Sequence, residues 1–207
     1  MKKIKYLIFI IIIICTSCNA QESYIQNKGK ILIAYFSIPE GDGIDTVTGA
    51  SRINNNNRII GNTEFFAETI KEFTKGELFK IETENKYPNT HQELLEIVQN
   101  EIANKNLPNL SKKINNFNEY DIVFVGYPIW YYDLPMAMYS FFEEYDFSNK
   151  IIIPFSTHGG SRFSGTIEKI KQLEPNAKII EDGLTISRND ILNSRKIIEN
   201  WLKNLKL

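Results

Sequence analysis

The most restrictive feature of this sequence is the stretch from Glu119 to Tyr131, which reads EYDIVFVGYPIWY. Four consecutive apolar residues, Ile122–Val125, follow a polar segment and end at Gly126. An uninterrupted apolar run bounded in this way is typical of a strand buried on both faces, as in a parallel sheet that helices cover. We therefore expect a central strand here, and with it an α/β fold.

Other segments fit the same plan, because strand patterns alternate with amphipathic helical patterns along the chain. Five strands that alternate with helices predict a doubly wound, five-stranded parallel sheet in one domain over residues 30–207. Besides the central stretch, the expected strands are Lys30–Ser37, Glu77–Ile81, Lys150–Phe155 and Ala177–Ile180. The expected helices begin at Asn62 or Thr63, at a capping box of Thr90 and Glu93, at Asp133 with Pro135, after Ser161, and at Asn189.

For two helices of this plan, the sequence also predicts which side chains face the core. The helix that begins near Asp133 should bury Met138, Phe141, Phe142 and Tyr145, and the last helix, Asn189–Leu205, should bury Ile197, Ile198, Trp201 and Leu205. Residues 38–60 form a long connection, and we interpret the second half as a hairpin, since Arg52-Ile53 and Ile59-Ile60 flank four asparagines.

The first residues have the features of an export signal. Three lysines precede the apolar run 6–14, which is too short to span a bilayer. Cys15–Cys18 then resembles the lipobox of bacterial lipoproteins, with cleavage after Ser17 and a lipid on Cys18, although Cys15 stands where leucine is usual. The alternative is an ordinary cleaved signal that ends near Ala20. We expect a signal peptide over 1–17, a tether over 18–29, and an exported, membrane-anchored protein.

Charge and residue counts exclude several classes of function. Loss of residues 1–17 removes three of the 24 basic residues and no acid, which leaves 21 basic against 25 acidic residues, a charge of −4. This balance does not suggest nucleic-acid binding. Both cysteines lie before residue 19, and two histidines are too few for a zinc site. Ser156 lies near His158, but the G-x-S-x-G elbow of hydrolases is absent.

Three loops at the carboxyl ends of expected strands carry unusual residues: Ser37 with Gly61–Thr63, Tyr127–Tyr131, and Ser156–Phe163. Ligands of open α/β sheets bind outside the carboxyl ends of strands, where the strand order reverses. If the order reverses between the first and third strands, all three loops meet at one crevice. A flat, anionic ligand would suit the aromatic and hydroxyl side chains found there.

At these positions the sequence resembles the flavodoxin-like family, and most of all a subgroup with a long insert before G-N-T and with G-Y-P-I-W after the third strand. The resemblance covers about Lys30 to Leu207 and implies the strand order 2-1-3-4-5 and bound FMN. It assigns three groups of residues to the cofactor. They are Ser37, Gly61, Asn62 and Thr63 for the phosphate; Tyr127, Pro128, Ile129, Trp130 and Tyr131 for the isoalloxazine ring; and Thr157, His158, Gly159 and Gly160 for the ring edge.

Physical chemistry is consistent with these assignments, but each has an alternative. Unpaired N–H groups and the helix dipole favour a phosphate at a helix N-terminus, where Asn62-Thr63 could also serve only as a cap. Trp130 and Tyr131 offer π-faces for stacking, or they could pack in the core. His158 could donate to reduced flavin or to a substrate, although a lone loop histidine is often only solvated. His91, just inside an expected helix, should be structural.

Three functions fit this sequence. The first is an FMN-dependent oxidoreductase that passes electrons from a reduced nicotinamide or another donor to a quinone-like or other acceptor. The second is a flavodoxin-type carrier that shuttles electrons between proteins. The third is a lipoprotein domain that binds a ligand or partner and catalyses nothing. The sequence does not identify the donor or the acceptor.

Overall fold

The central feature of the fold is a parallel sheet of six strands. The computed structural model describes residues 29–41 and 52–205, so the expected signal peptide, Cys18, most of the expected tether and residues 42–51 of the 38–60 insert lie outside the described residues. The strands are β1 Ile31–Tyr35, β2 Arg52–Asn55, β3 Arg58–Gly61, β4 Glu77–Lys80, β5 Ile122–Pro128, β6 Ile151–His158, β7 Lys178–Ile179 and β8 Leu184–Ser187. The helices are α1 Asn62–Thr74, α2 His91–Asn104, α3 Met136–Glu144, α4 Thr166–Leu173 and α5 Arg195–Asn204.

The order of strands across the sheet is β4-β1-β5-β6-β7, and β8 also pairs with β6; every one of these pairings is parallel. If β1, β4, β5, β6 and β7 are renumbered 1 to 5 in chain order, with the hairpin strands left out, the order across the sheet is 2-1-3-4-5. This confirms the expected architecture. The antiparallel pair β2 and β3 forms the hairpin expected in the second half of the insert. Within the described residues, no helix has the length and apolar character needed to cross a bilayer.

The fifth position of the sheet is occupied by two short segments instead of one continuous strand. Ile180 donates its N–H to the carbonyl of Ile152 at 2.9 Å, so Ile152 faces this edge of the sheet. Two residues further along β6, on the same side, lies Pro154, which has no N–H to donate. The ladder is interrupted beside it, between β7 and β8. The sequence analysis missed β8, although Pro154 signalled the interruption.

Helices cover both faces of the sheet, as a doubly wound fold requires. Helices α1 and α5 pack on one face, and α2, α3 and α4 pack on the other. All seven residues of β5 are buried, which confirms that the stretch with the strongest apolar pattern is the central strand. Its carboxyl end therefore opens between the ends of β1 and β6.

Two expectations about helices were wrong in detail. The last helix begins at Arg195, after a short 3-10 turn at Ile191–Asn193, and Ile197 is 53% exposed on it, because Ile198 and Leu202 take the inward positions. On α3, Met138, Phe141 and Phe142 are buried as expected, whereas Tyr145 lies beyond the helix end and is half-buried.

Thr90 precedes α2 as expected, but its hydroxyl donates to the Glu93 carboxylate and makes no hydrogen bond to a backbone N–H of the helix.

Candidate functional site

The carboxyl ends of β1, β5 and β6 lie side by side, because these strands are neighbours in the sheet. A direct contact joins two of the three expected loops: the Thr63 and Thr157 hydroxyl oxygens are 2.8 Å apart, and both residues are almost fully buried. Thr63 belongs to the first turn of α1 and Thr157 to the end of β6. Residues 94 positions apart in the chain are thus brought to one place.

The end of β1 meets the start of α1 at Gly61. A Cβ atom at Gly61 would lie 2.1 Å from the Ser37 hydroxyl oxygen, so only glycine permits this approach. The same oxygen accepts a hydrogen bond from the Glu64 N–H at 3.3 Å. Ser37 therefore supplies a hydroxyl from a different strand to the N-terminus of α1, where the first N–H groups have no partner within the helix.

Asn62 is the first residue of α1, and its side chain is fully buried. Neither its amide oxygen nor its amide nitrogen has a hydrogen-bond partner within residues 29–41 and 52–205. A buried amide with no partner costs about 1–3 kcal/mol, so such groups are rare in proteins and ask for an explanation. A ligand that accepts a hydrogen bond from the amide nitrogen at this helix N-terminus would supply a partner for that half of the amide.

Two cations lie near this first turn, but both are paired with carboxylates, Lys80 with Glu64 and Arg58 with Glu68 and Glu64. Glu64 pairs with Lys80 at 2.7 Å and with Arg58 at 3.7 Å, and its side chain is only 13% exposed. An anion at the start of α1 would therefore be stabilised mainly by N–H groups, hydroxyls and the helix dipole.

Tyr127, near the carboxyl end of β5, and Trp130, in the loop that follows, are core residues. Tyr127 is fully buried, and its hydroxyl lies 2.9 Å from that of Thr166 on α4. Trp130 is 1% exposed and makes edge contacts with Phe36 and Tyr87 at centroid distances of 5.2 and 5.5 Å. Both side chains are buried in this arrangement, which for Trp130 is the core packing that the sequence left open as the alternative to a ring contact.

Pro128 and Ile129 are also buried, and Ile129 donates its N–H to the carbonyl of Thr157 at 2.9 Å. This backbone hydrogen bond extends the β5–β6 pairing into the loop. Both residues therefore hold the loop against the end of β6, where the third group of expected site residues begins.

The aromatic surface that is accessible in this loop belongs to Tyr131 and Tyr132. Their φ angles are 47° and 65°, and Trp130 and Asp133 exchange backbone hydrogen bonds of 3.1 and 2.9 Å on either side of them. This is the pattern of a type I′ turn, whose two central positions normally hold asparagine or glycine. Tyr132 is 75% exposed, and the Tyr131 hydroxyl accepts a hydrogen bond from Gln99 on α2. The sequence analysis did not assign Tyr132 to the site.

We expect replacement of Tyr131-Tyr132 by Asn-Gly to raise the free energy of unfolding by about 1–2 kcal/mol, because left-handed backbone costs a bulky residue about 1 kcal/mol or more. Urea unfolding of the apoprotein measures this gain. The matched control is Asn57→Gly in the β2–β3 hairpin, where Asn56 and Asn57 already tolerate positive φ. That control should change stability by less than about 0.5 kcal/mol. Equal stability of the Asn-Gly variant and the wild type would show that the tyrosine turn is not strained.

The loop after β6 places His158 next to two glycines. The His158 Nδ1 accepts a hydrogen bond from the Gly160 N–H at 2.9 Å, so the neutral ring carries its proton on Nε2. Burial, and secondarily the nearby Arg162, lower the pKa of His158, while Asp190 opposes this. The imidazole is thus a neutral donor at pH 7. A Cβ at Gly159 would lie 3.3 Å from the Arg188 guanidinium, and Gly160 needs glycine for its φ of 145°.

The other histidine is remote from this loop. His91 is the first residue of α2, and its Nδ1 lies 3.1 Å from the buried Glu40 carboxylate. This contact ties the segment after β1 to the start of α2, in agreement with the structural role expected for His91. Ser156 pairs with Thr185 on β8 at 2.7 Å, and this contact gives no sign of the hydrolase arrangement that the sequence also disfavoured.

Comparison with known proteins places this architecture in a family. A family model described as flavodoxin matches residues 52–205. A solved structure from Bacteroides uniformis ATCC 8492, provisionally assigned as a flavoprotein, is 25% identical, with 85% of this chain and 99% of that chain covered and a TM-score of 0.67. A flavoprotein from Lactobacillus acidophilus NCFM, solved in complex with FMN, shares the fold at 17% identity, with 81% and 99% covered and a TM-score of 0.57.

No curated protein matches the sequence. The family match covers more than half of the chain and includes two of the three loops that meet at the carboxyl edge of the sheet. The sheet order, the covered faces and the family match lead to one conclusion: this chain belongs to the flavodoxin family.

Proposed function

We propose that this protein binds FMN at the carboxyl ends of β1, β5 and β6 and acts as a flavin-dependent oxidoreductase. The observation that carries the proposal is the buried, unpartnered amide of Asn62 at the N-terminus of α1, beside the hydroxyls of Ser37 and Thr63. A phosphate monoester fits these groups, since it accepts hydrogen bonds through several oxygens and is favoured at a helix N-terminus. The FMN complex of the Lactobacillus acidophilus relative supports the choice of nucleotide.

The residues of this chain have separate roles in the proposed site. Ser37, Asn62 and Thr63 would hold the phosphate, and Gly61 would let the backbone approach it. The neutral His158, with its proton on Nε2, and the N–H of Gly159 would be donors for the oxygen and nitrogen edge of the ring, while the Gly160 N–H holds the imidazole in place. Bound FMN supplies the electron-transfer chemistry. Tyr131 and Tyr132 would flank the ring in place of Trp130.

The acceptor in this proposal is a quinone-like small molecule. Tyr132 supports it, because an exposed aromatic side chain in a strained turn gives a flat acceptor a surface to stack on, and strain of this kind concentrates at functional sites. The alternative is a carrier that exchanges electrons only with proteins. The charge of −4 expected for the mature chain gives a carrier little electrostatic steering toward basic partners.

We also propose export and a lipid anchor on Cys18, on the strength of the sequence pattern of residues 1–18. The orientation of β1 adds a consequence. Lys30 lies at the amino end of β1, and all sheet strands run parallel, so the chain enters the domain at the edge opposite the proposed site. An anchored protein would then present its flavin edge away from the membrane surface. Loss of membrane association in Cys18→Ser, measured by fractionation, tests the anchor.

The absorbance spectrum tests the FMN proposal. The mature protein, expressed without residues 1–17 and with Cys18→Ser, should be yellow or should quench FMN fluorescence on titration. Thr63→Ala should weaken this binding about tenfold, because it removes a hydroxyl from the site. Thr185→Ala, which removes a hydroxyl from the edge strand, is the matched control and should leave FMN affinity unchanged. A colourless protein that does not bind added FMN would favour a non-catalytic binding domain.

A turnover assay separates the enzyme from the carrier. The FMN-loaded protein, NADPH and menadione should give steady oxidation of NADPH if the proposal is right. Reduction of a protein partner without any menadione turnover would instead establish the carrier. The two assays separate the two parts of the proposal, because the first reads FMN binding and the second reads electron transfer by protein that has bound FMN.

A further inference from the structure

We propose that a cleft on the α2 side of the domain binds a small organic cation with an apolar body. The cleft lies between Asn85–Pro88, helix α2 and Asn106–Pro108, and we call it the α2 cleft. Its volume is about 760 Å³, within the range of pockets that hold small molecules. This site is separate from the proposed FMN site, and the proposal does not depend on FMN.

The first observation is a buried carboxylate that lines the cleft. Glu101 on α2 is 7% exposed, and both of its carboxylate oxygens face the Tyr87 hydroxyl, at 2.8 and 3.0 Å. A hydroxyl has one proton, so it cannot satisfy both oxygens fully. Burial raises the pKa of Glu101, and the Tyr87 hydrogen bond only partly opposes this. In the part of the chain that the structure describes, no Lys, Arg or His side chain forms an ion pair with Glu101.

A buried carboxylate without a cationic partner is costly, and a cation in the cleft would remove much of that cost. The rest of the lining fits such a ligand. Glu93 and Glu96 also line the cleft, and against these three carboxylates the lining has one cation, the exposed Lys86. The lining therefore has a formal charge of −2 when all three carboxylates are ionised.

The lining also indicates that the uncharged part of the ligand should be apolar. Pro88, Pro108 and Ile97 supply apolar surface, and Ile97 is 41% exposed although it is a large aliphatic residue. Three asparagine amides complete the wall. The described residues contain no cluster of three His, Cys, Asp or Glu that could hold a metal ion. These features favour an organic amine, with its ammonium group toward Glu101 and its body on the apolar residues.

Tyr87 connects the α2 cleft to the loop after β5. Its ring makes edge contacts with Trp130 and with Phe36, each at a centroid distance of 5.5 Å. A ligand that contacts Tyr87 will therefore change the surroundings of the Trp130 indole. The chain has only two tryptophans, so Trp201→Phe leaves Trp130 as the single fluorescent indole and as a reporter for the cleft.

The experiment titrates the Trp201→Phe mature protein with three probes that share one body: phenethylamine, phenethyl alcohol and phenylacetate. We expect a saturable change in Trp130 emission with the amine, and at least about tenfold weaker binding of the alcohol and the acid, because only the amine brings a positive charge that forms an ion pair with Glu101. Backbone amide shifts in Asn85–Tyr87 and Asn106–Leu107 should follow the same titration.

The decisive variant is Glu101→Gln, which keeps the shape and an acceptor for the Tyr87 hydroxyl but removes the charge. It should weaken amine binding at least about tenfold, whereas Glu143→Gln, at an exposed position on α3, should leave it unchanged. Equal binding of amine and alcohol would overturn the proposal, as would undiminished amine binding by Glu101→Gln. Absence of any saturable amine response in the wild-type cleft would overturn it as well.

Discussion

Replacing Asn62 with alanine should weaken FMN binding by about 10- to 100-fold and, at the same time, leave the apoprotein more stable by about 1 kcal/mol. The two effects have one cause. In the apoprotein, the Asn62 amide is buried and has no hydrogen-bond partner among the described residues, so its removal relieves a desolvation cost. With FMN bound, the same amide gains a charge-assisted hydrogen bond to phosphate, worth about 1.5–3 kcal/mol.

The measurement pairs urea unfolding of the apoprotein with an FMN titration of the same variant. Asn200→Ala on α5 is the matched control, because it removes an exposed asparagine from a helix far along the chain from the site residues. It should leave FMN affinity unchanged. A loss of apoprotein stability in Asn62→Ala without a change in FMN affinity would mean that the amide serves the fold alone.

Replacing Gly126 with alanine should lower the free energy of unfolding by about 3 kcal/mol. A Cβ at this position would lie 2.1 Å from the Phe155 ring, which crosses over the glycine from the neighbouring strand. Phe155 cannot move aside easily, because it is fully buried and packs on Phe66 at a centroid distance of 4.7 Å. Overpacking of a rigid core costs about 1–3 kcal/mol, and a clash with a fixed ring lies at the upper end.

A double-mutant cycle tests this cause. Phe155→Leu removes the ring, so Gly126→Ala should be much less destabilising in the Phe155→Leu background than in the wild type. Gly159→Ala is the control glycine, since its Cβ would meet only the flexible end of Arg188. That control should cost less than about 0.5 kcal/mol. Strict additivity of the two substitutions would show that the Gly126 penalty does not come from the ring.

The parts of the site that the sequence identified best are those set by short patterns. Gly61-Asn62-Thr63 before an amphipathic run predicts a helix N-terminus, and α1 does begin at Asn62. The hairpin, too, follows from apolar residues on either side of an asparagine run. Each of these patterns acts within a few residues, because turn chemistry and helix capping are local.

Trp130 shows the limit of prediction from local sequence patterns. An aromatic residue after a strand end has the same local pattern whether it faces a ligand or packs inward, and the contacts with Phe36 and Tyr87 that bury it come from two other loops. Tyr132 is the converse case: its exposure and positive φ follow from the turn that Trp130 and Asp133 close. Ile197 was misplaced because the inward face of α5 is set by Ile198 and Leu202, and Ile197 lies about 100° around the helix from Ile198.

By itself, the sequence determined the α/β class, the central position of β5 and the residue types at each strand end, because apolar runs and helical periods report burial without long-range information. Only the tertiary structure decided which of those residues meet. It paired Thr63 with Thr157, buried Asn62 without a partner, and placed Glu101 against Tyr87 in the α2 cleft. The physical reason is that desolvation and hydrogen bonding depend on neighbours brought in from elsewhere in the chain, and no local pattern encodes them.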